Sequence, residues 1–313
     1  MIIDFHAHVG DLRSPEETEH SPITWKDLVE RLDDEGIDRA VLLPVNVSPE
    51  SCKAPLFFSP RSDIVSQLEE AARYPERLIL FGNIDPRMGC LGNLEPHQVD
   101  NPPETDFSLF LKRFKELGCV GIGEVTANLP LDDPRVINMF KQCGEWEMPV
   151  LFHCTGPGRG VYGLFDEVGL PRLERLLKEA PDTTIIGHAP GFWAEIAGDL
   201  KPEHKFIYPK GAIEKEGSLL KLLRSCPNLY ADISANSGYN AISRDKSFGV
   251  KFLTEFQDRV LFGTDVCFGD KEGRMPQLSY LRSLLSDKLI SREVFDKITG
   301  NNALKILKLY KHK

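Results

Sequence analysis

Short apolar runs alternating with longer amphipathic stretches, eight times over, constrain this chain more than any other feature. The first run is 1–3 (MII), followed by 39–45 (RAVLLPV), 78–83 (LILFGN), 119–124 (CVGIGE) and 149–153 (PVLFH). The last three are 184–188 (TIIGH), 229–233 (LYADI) and 260–265 (VLFGTD). None alternates strictly between apolar and polar, which is the pattern of parallel strands buried on both faces. Helical stretches lie between them: Trp25 to Glu35 stops at Gly36, Phe107 to Leu117 at Gly118, and Leu173 to Ala180 ahead of Pro181. Strand–helix units in this number predict an α/β fold, a (β/α)8 TIM barrel. The competing open doubly wound sheet would carry a phosphate-binding glycine loop after its first strand, and His8-Val9-Gly10-Asp11 is no such loop.

At 313 residues, with 41% apolar and 27% charged side chains, the chain suits one barrel domain over residues 1–313. Three excursions, 46–61, 86–106 and 191–217, leave from strand C-termini and are expected as elaborated loops over that face. A net charge of −9 without a basic patch speaks against nucleic acid or an anionic membrane as partner. The seven cysteines are scattered with no CxxC pair, as expected for free thiols in a reducing cytoplasm. No apolar run approaches the length of a membrane span. The expected partner is a small-molecule substrate, with a homo-oligomer as an open alternative.

Residues at strand C-termini meet around the mouth of a barrel, and there this chain collects metal-ligand chemistry. Residues 4–8 read DFHAH, so an extended backbone would project His6 and His8 together from a solvent-facing strand end, with Phe5 and Ala7 on the other face. Later strand ends add Glu124, His153, His188 and Asp265. Four of the chain's eight histidines thus fall at expected strand ends, and imidazole with carboxylate suits Zn²⁺ first, with Mn²⁺ and Fe²⁺ as alternatives. Taken singly, His188 could be a hydrogen-bonded core histidine, Asp265 a turn residue and Glu124 the partner of a nearby cation. Jointly they read as a metal site. The segment 155–160 (TGPGRG) lacks the Lys-Ser/Thr ending of a phosphate loop and is expected as a pocket wall. No GxSxG elbow supplies a serine nucleophile.

The segments DFHAH, VLFHC, IIGHAPG and LFGTD resemble the metal-dependent amidohydrolase superfamily, and 298–306 resembles the C-terminal helix of its amidohydrolase-related branch. The resemblance implies a barrel, a metal-activated water, and a metal held by His6, His8 and Asp265. Glu124 departs from the carbamylated lysine common in the superfamily and is more like the bridging glutamate of TatD-type deoxyribonucleases, whose other signatures are missing. Two arrangements follow. One ion is held by His6, His8, His153 and Asp265. Alternatively, Glu124 bridges a pair, the second ion held by His153 and His188.

Asp265 and His188 are the expected catalytic groups. The expected reaction is hydrolysis of a small ester, lactone or amide-like substrate, with decarboxylation or hydration as the rival and a non-catalytic metal-binding barrel as a further alternative. Arg87, Arg159, Tyr239 and Arg244, on loops leaving strand ends, are candidate substrate contacts. An arginine there could clamp a carboxylate.

Overall fold

In a computed structural model the residues described are 1–12, 19–45, 64–88, 104–157, 161–270 and 275–309. The strands form parallel ladders in two sheets. One runs β1 (Ile3–Ala7), β2 (Arg39–Leu42), β3 (Leu78–Leu80). The other runs β4 (Ile122–Val125), β5 (Val150–Thr155), β7 (Ile185–His188), β8 (Leu229–Asp232), β9 (Val260–Leu261). A short extra strand, β6 (Leu164–Phe165), pairs with β5 outside that series and was not expected. Isolated parallel bridges join the sheets at both seams, Gly82 to Ile122 and Ala7 to Val266, so the strands follow one another around an α/β barrel. All eight expected strands are present.

The helices follow from local chemistry. In α1 (Trp25–Glu35) the Thr24 hydroxyl accepts from the Asp27 amide while Asp27 accepts from the Thr24 amide, and Leu28 and Leu32 face the core. Gly36 closes it at φ 65°, a left-handed conformation glycine adopts without steric cost. α3 (Ser108–Glu116) is one residue shorter at each end than expected, whereas α5 (Pro171–Glu179) starts two residues earlier and ends one residue earlier. The Asp133 carboxylate caps α4 (Pro134–Glu145).

Two apolar layers hold the barrel. Ile3, Phe5, Val41, Ile79, Phe81, Leu151, Ile186 and Leu261 fill the lumen, with Phe5 and Phe81 edge to face at 5.8 Å. Such an aromatic pair adds about 0.5–1.5 kcal/mol to simple burial. Ala303 and Leu307, from α12 (Asn302–Ile306) and the residue after it, join this cluster, and Gly300 packs on the Met1 carbonyl. The C-terminal segment thereby plugs the N-terminal end of the barrel. The remaining core lies between strands and outer helices.

Of the three excursions, 46–61 lies outside the described residues, as does most of 86–106. The third is elaborated as expected. It holds a single turn, α6 (Pro190–Trp193), and is tied down by buried Lys205, whose Nζ donates to Glu195 Oε1 at 2.7 Å and to the Gly191 carbonyl at 3.0 Å. No helix among the described residues is long and apolar enough to cross a membrane.

Candidate metal centre

At the C-terminal ends of β1, β4, β7 and just beyond β9, five expected ligands converge. His6 Nε2 lies 3.0 Å from His8 Nε2, 3.5 Å from Asp265 Oδ1 and 3.7 Å from Glu124 Oε2. His8 Nε2 is 3.1 Å from Asp265 Oδ1. His188 Nε2 is 3.4 Å from Asp265 Oδ2 and 3.8 Å from Glu124 Oε1. Two overlapping donor groups result, His6–His8–Asp265 and His6–Glu124–His188. His153 stands outside both, its Nδ1 2.7 Å from Glu124 Oε1.

The expectation that His6 and His8 face solvent is overturned: they are 0% and 3% exposed. Phe5 also departs from strict alternation, packing into the lumen although its neighbour His6 reaches the centre. The cause is a slip in the β1–β2 register between Asp4 and Ala7, the kind of irregularity that re-aims side chains beside a site.

Hydrogen bonds on the outer nitrogens fix the ring tautomers. His8 Nδ1 meets the Leu43 carbonyl at 2.8 Å, an acceptor only, so Nδ1 carries the proton and Nε2 keeps its lone pair. His6 Nδ1 meets Asp232 Oδ2 at 2.7 Å in the same way. The Ser234 hydroxyl donates to Asp232 at 2.6 Å and therefore accepts from His188 Nδ1 at 2.8 Å. His188 Nε2 is then a bare, buried nitrogen with no hydrogen-bond partner among the described residues.

Two neutral rings whose lone pairs face each other at 3.0 Å repel unless a proton or a cation lies between them. The surrounding carboxylates favour either. Burial would lower the pKa of His6, yet Asp265, Asp232 and Glu124 together raise it well above the ordinary value. Burial would raise Asp265 and Glu124, but His6 and His188 about the first, and His153 and His6 about the second, hold both well below the carboxylate range. Donor atoms bonded at about 2.1 Å to one ion lie roughly 3.0–3.4 Å apart. The His6–His8–Asp265 spacings, 3.0, 3.1 and 3.5 Å, come close to this span, and those to Glu124, 3.6 to 3.8 Å, are wider.

Residues the sequence reading passed over complete the arrangement. Asp232 ends the seventh run, LYAD, where a strand-end carboxylate was the available signal. It is fully buried and orients His6 and, through Ser234, His188. Asp4, inside DFHAH, accepts from the backbone amides of His6 and Thr264 and from the Thr264 hydroxyl and Arg31, tying β1 to the turn that bears Asp265. Asp265 sits at φ 56°, a region aspartate tolerates better than most side chains. Gly263 has no room for a Cβ, which would lie 2.6 Å from Asp232 Oδ1. Tyr162 lies tilted against the His153 ring, centroids 4.6 Å apart, and burial pushes its phenol pKa far up, so it stays protonated.

Asp232→Asn should lower metal affinity about 10–100-fold, because the ligand ring loses its anionic partner. Titration of the variant with Zn²⁺ checks this, and unchanged affinity would remove Asp232 from the site.

Of the four candidate substrate contacts, the three among the described residues do not join the ligand cluster. Arg87 is buried and grips Asp85 through two parallel bonds of 3.0 and 2.9 Å. Tyr239, in α8 (Ala235–Ser243), packs edge to face on Tyr280. Arg244 follows that helix and lines a separate cleft. Arg159 lies outside the described residues. Cys154 is buried with its thiol pKa pushed up to about 12, as expected of a packed thiol. Cys267 instead reaches the site, its Sγ 3.6 Å from Asp265 Oδ1.

Residues 3–309 match the family model described as amidohydrolase. No curated protein sequence is significantly similar to the chain. Among solved structures, the chain is similar to an amidohydrolase from Burkholderia multivorans with bound zinc: 12% identity, TM-score 0.61, covering 98% of this chain and 99% of that one. A probable 2-pyrone-4,6-dicarboxylic acid hydrolase from Acinetobacter baumannii, with citric acid bound, shares 14% identity at TM-score 0.56, covering 98% and 99%. A 2,6-dihydroxybenzoate decarboxylase from Rhizobium shares 16% identity at TM-score 0.57, covering 98% of each chain.

Proposed function

Because the chain belongs to the amidohydrolase family, we propose that it hydrolyses a small carboxylated ester, lactone or amide-like substrate with one divalent ion, Zn²⁺ first. The observation that carries the reading is the facing pair of His6 and His8 nitrogens, with Asp265 spanning from His8 (Oδ1, 3.1 Å) to the bare His188 nitrogen (Oδ2, 3.4 Å). His6, His8 and Asp265 Oδ1 would hold the ion, with Glu124 as the further carboxylate. His153, which the second ion of a bridged pair would need, stands outside both donor groups and bonds Glu124 through Nδ1 instead, which favours a single ion.

A divalent ion held there would lower the pKa of a bound water to about 7 and would polarise a carbonyl. The chain's own residues then handle the proton. Asp265 Oδ2, ionised and beside His188 Nε2, accepts it and passes it to the leaving group. His188 is oriented for this by Ser234 and Asp232. His153 keeps Glu124 ionised and turned toward the centre.

The sign of the pH dependence follows from His6. Its raised pKa means that ion and proton compete for Nε2, so metal affinity should rise as pH climbs from the ordinary imidazole range through the raised pKa, with proton release on binding. Calorimetry in buffers of different ionisation enthalpy measures the released proton. Affinity independent of pH would place the ion elsewhere.

A panel of carboxylated lactones, esters and benzoates, scored for both acid release and CO2 release, tests the reaction itself. Ester or lactone opening that requires added metal supports hydrolysis. CO2 release without hydrolysis would contradict it.

A further inference from the structure

We infer that the cleft between α6, α8 and the segment around 199–212 is an anion subsite, in which Arg244 and the Ser237 hydroxyl receive a carboxylate of the substrate. This rests on the hydrolytic reading only for what the ligand becomes; binding is a separate question. The cleft has a volume of about 440 Å³, and its charged and polar lining is Asp199, Lys201, His204, Tyr208, Lys210 and Arg244. That volume lies within the range of small-molecule sites. A second, smaller pocket lined by Pro190, Trp193, Ser237 and Asn240 shares Tyr208 and Arg244 with the cleft.

Two polar groups there lack partners. Ser237 is 2% exposed, and its Oγ has no hydrogen bond among the described residues. A helical serine ordinarily returns its hydroxyl to the preceding turn, as Ser225, Ser243 and Ser283 do here. Ser237 does not. The half-buried Arg244 guanidinium makes no hydrogen bond or ion pair with any described residue, although Arg31, Arg87, Arg135 and Arg172 each grip a carboxylate. Burial lowers its pKa against the charges of Asp199 and Asp245, yet a guanidinium stays protonated. A partly desolvated fork of donors beside an unsatisfied hydroxyl matches a carboxylate.

The cleft also adjoins the metal centre. Ser237 lies one turn beyond Ser234, which bonds His188, and Trp193 donates to the Asp232 carbonyl at 2.8 Å. Tyr208, which lines the cleft, has its pKa raised by burial and by the charge of Asp265. A substrate whose reacting carbonyl lies at the ion would thus place an anionic end at Arg244.

Glutarate titrated calorimetrically into the metal-loaded protein tests this, with inorganic phosphate as a second probe. Arg244→Gln should weaken glutarate binding at least about tenfold, Arg244→Lys should restore part of it, and Ser237→Ala should weaken it several-fold. Metal content and melting temperature of each variant report folding. Glutarate affinity within about twofold of wild type in Arg244→Gln would overturn the subsite, as would Arg244-dependent binding of phosphate but not glutarate. If glutarate needs Arg244 while no carboxylated ester is turned over, the subsite stands and the hydrolytic reading falls. Hydrolysis with glutarate binding indifferent to Arg244 is the converse.

Discussion

His8→Ala should lose tight metal binding, by more than about 100-fold, and with it essentially all activity, while keeping its fold. His8 is the better of the two N-terminal ligands to remove. Among the described residues its hydrogen bonds are to the Leu43 carbonyl and to the His6 ring, so the cavity left is small in consequence. His6→Ala should lose the metal too, but it also strips a fully buried Asp232 of an imidazole partner at 2.7 Å. An unpaired buried group of that kind costs about 1–3 kcal/mol, so His6→Ala should in addition melt several degrees lower. Metal analysis and thermal unfolding of both variants separate the two effects. A full metal complement in His8→Ala would remove the HxH pair from the site.

Asp265→Asn should part activity from metal. The amide keeps an oxygen that can coordinate weakly but cannot take a proton at neutral pH. Loss of a positioned acid–base group costs roughly 10²–10⁴ in rate. The variant should therefore retain much of its metal at saturating concentration and turn over at least about 100-fold more slowly. Near wild-type turnover would reassign the proton transfer, with His188 the first group to examine.

The barrel was legible because its strands are apolar on both faces, and each of the eight runs became a strand of the ring. The expected span of α1, Trp25 to Glu35 with its stop at Gly36, is the observed one. The two-residue β6 gave no periodic signal, since Leu164–Phe165 is too short to show one. Ligand types were legible from strand ends, and five of the six residues named converge. Their burial was not, because the β1–β2 slip that turns His6 inward beside Phe5 depends on pairing with a distant strand. Asp232 and Ser234 were missed for a related reason: they reach the centre through His6 and His188, and a contact between 6 and 232 leaves no local trace. The loop arginines divide in the same way, Arg87 being taken by Asp85 two residues away while Arg244 has no such neighbour.

The most direct test is titration of chelator-treated protein with Zn²⁺ while hydrolysis of a carboxylated ester is followed. Activity should rise from background and saturate at one equivalent per chain, and His8→Ala should stay at background throughout. Full turnover in the chelated protein, or saturation only at two equivalents, would contradict a single-ion site built on His6, His8 and Asp265.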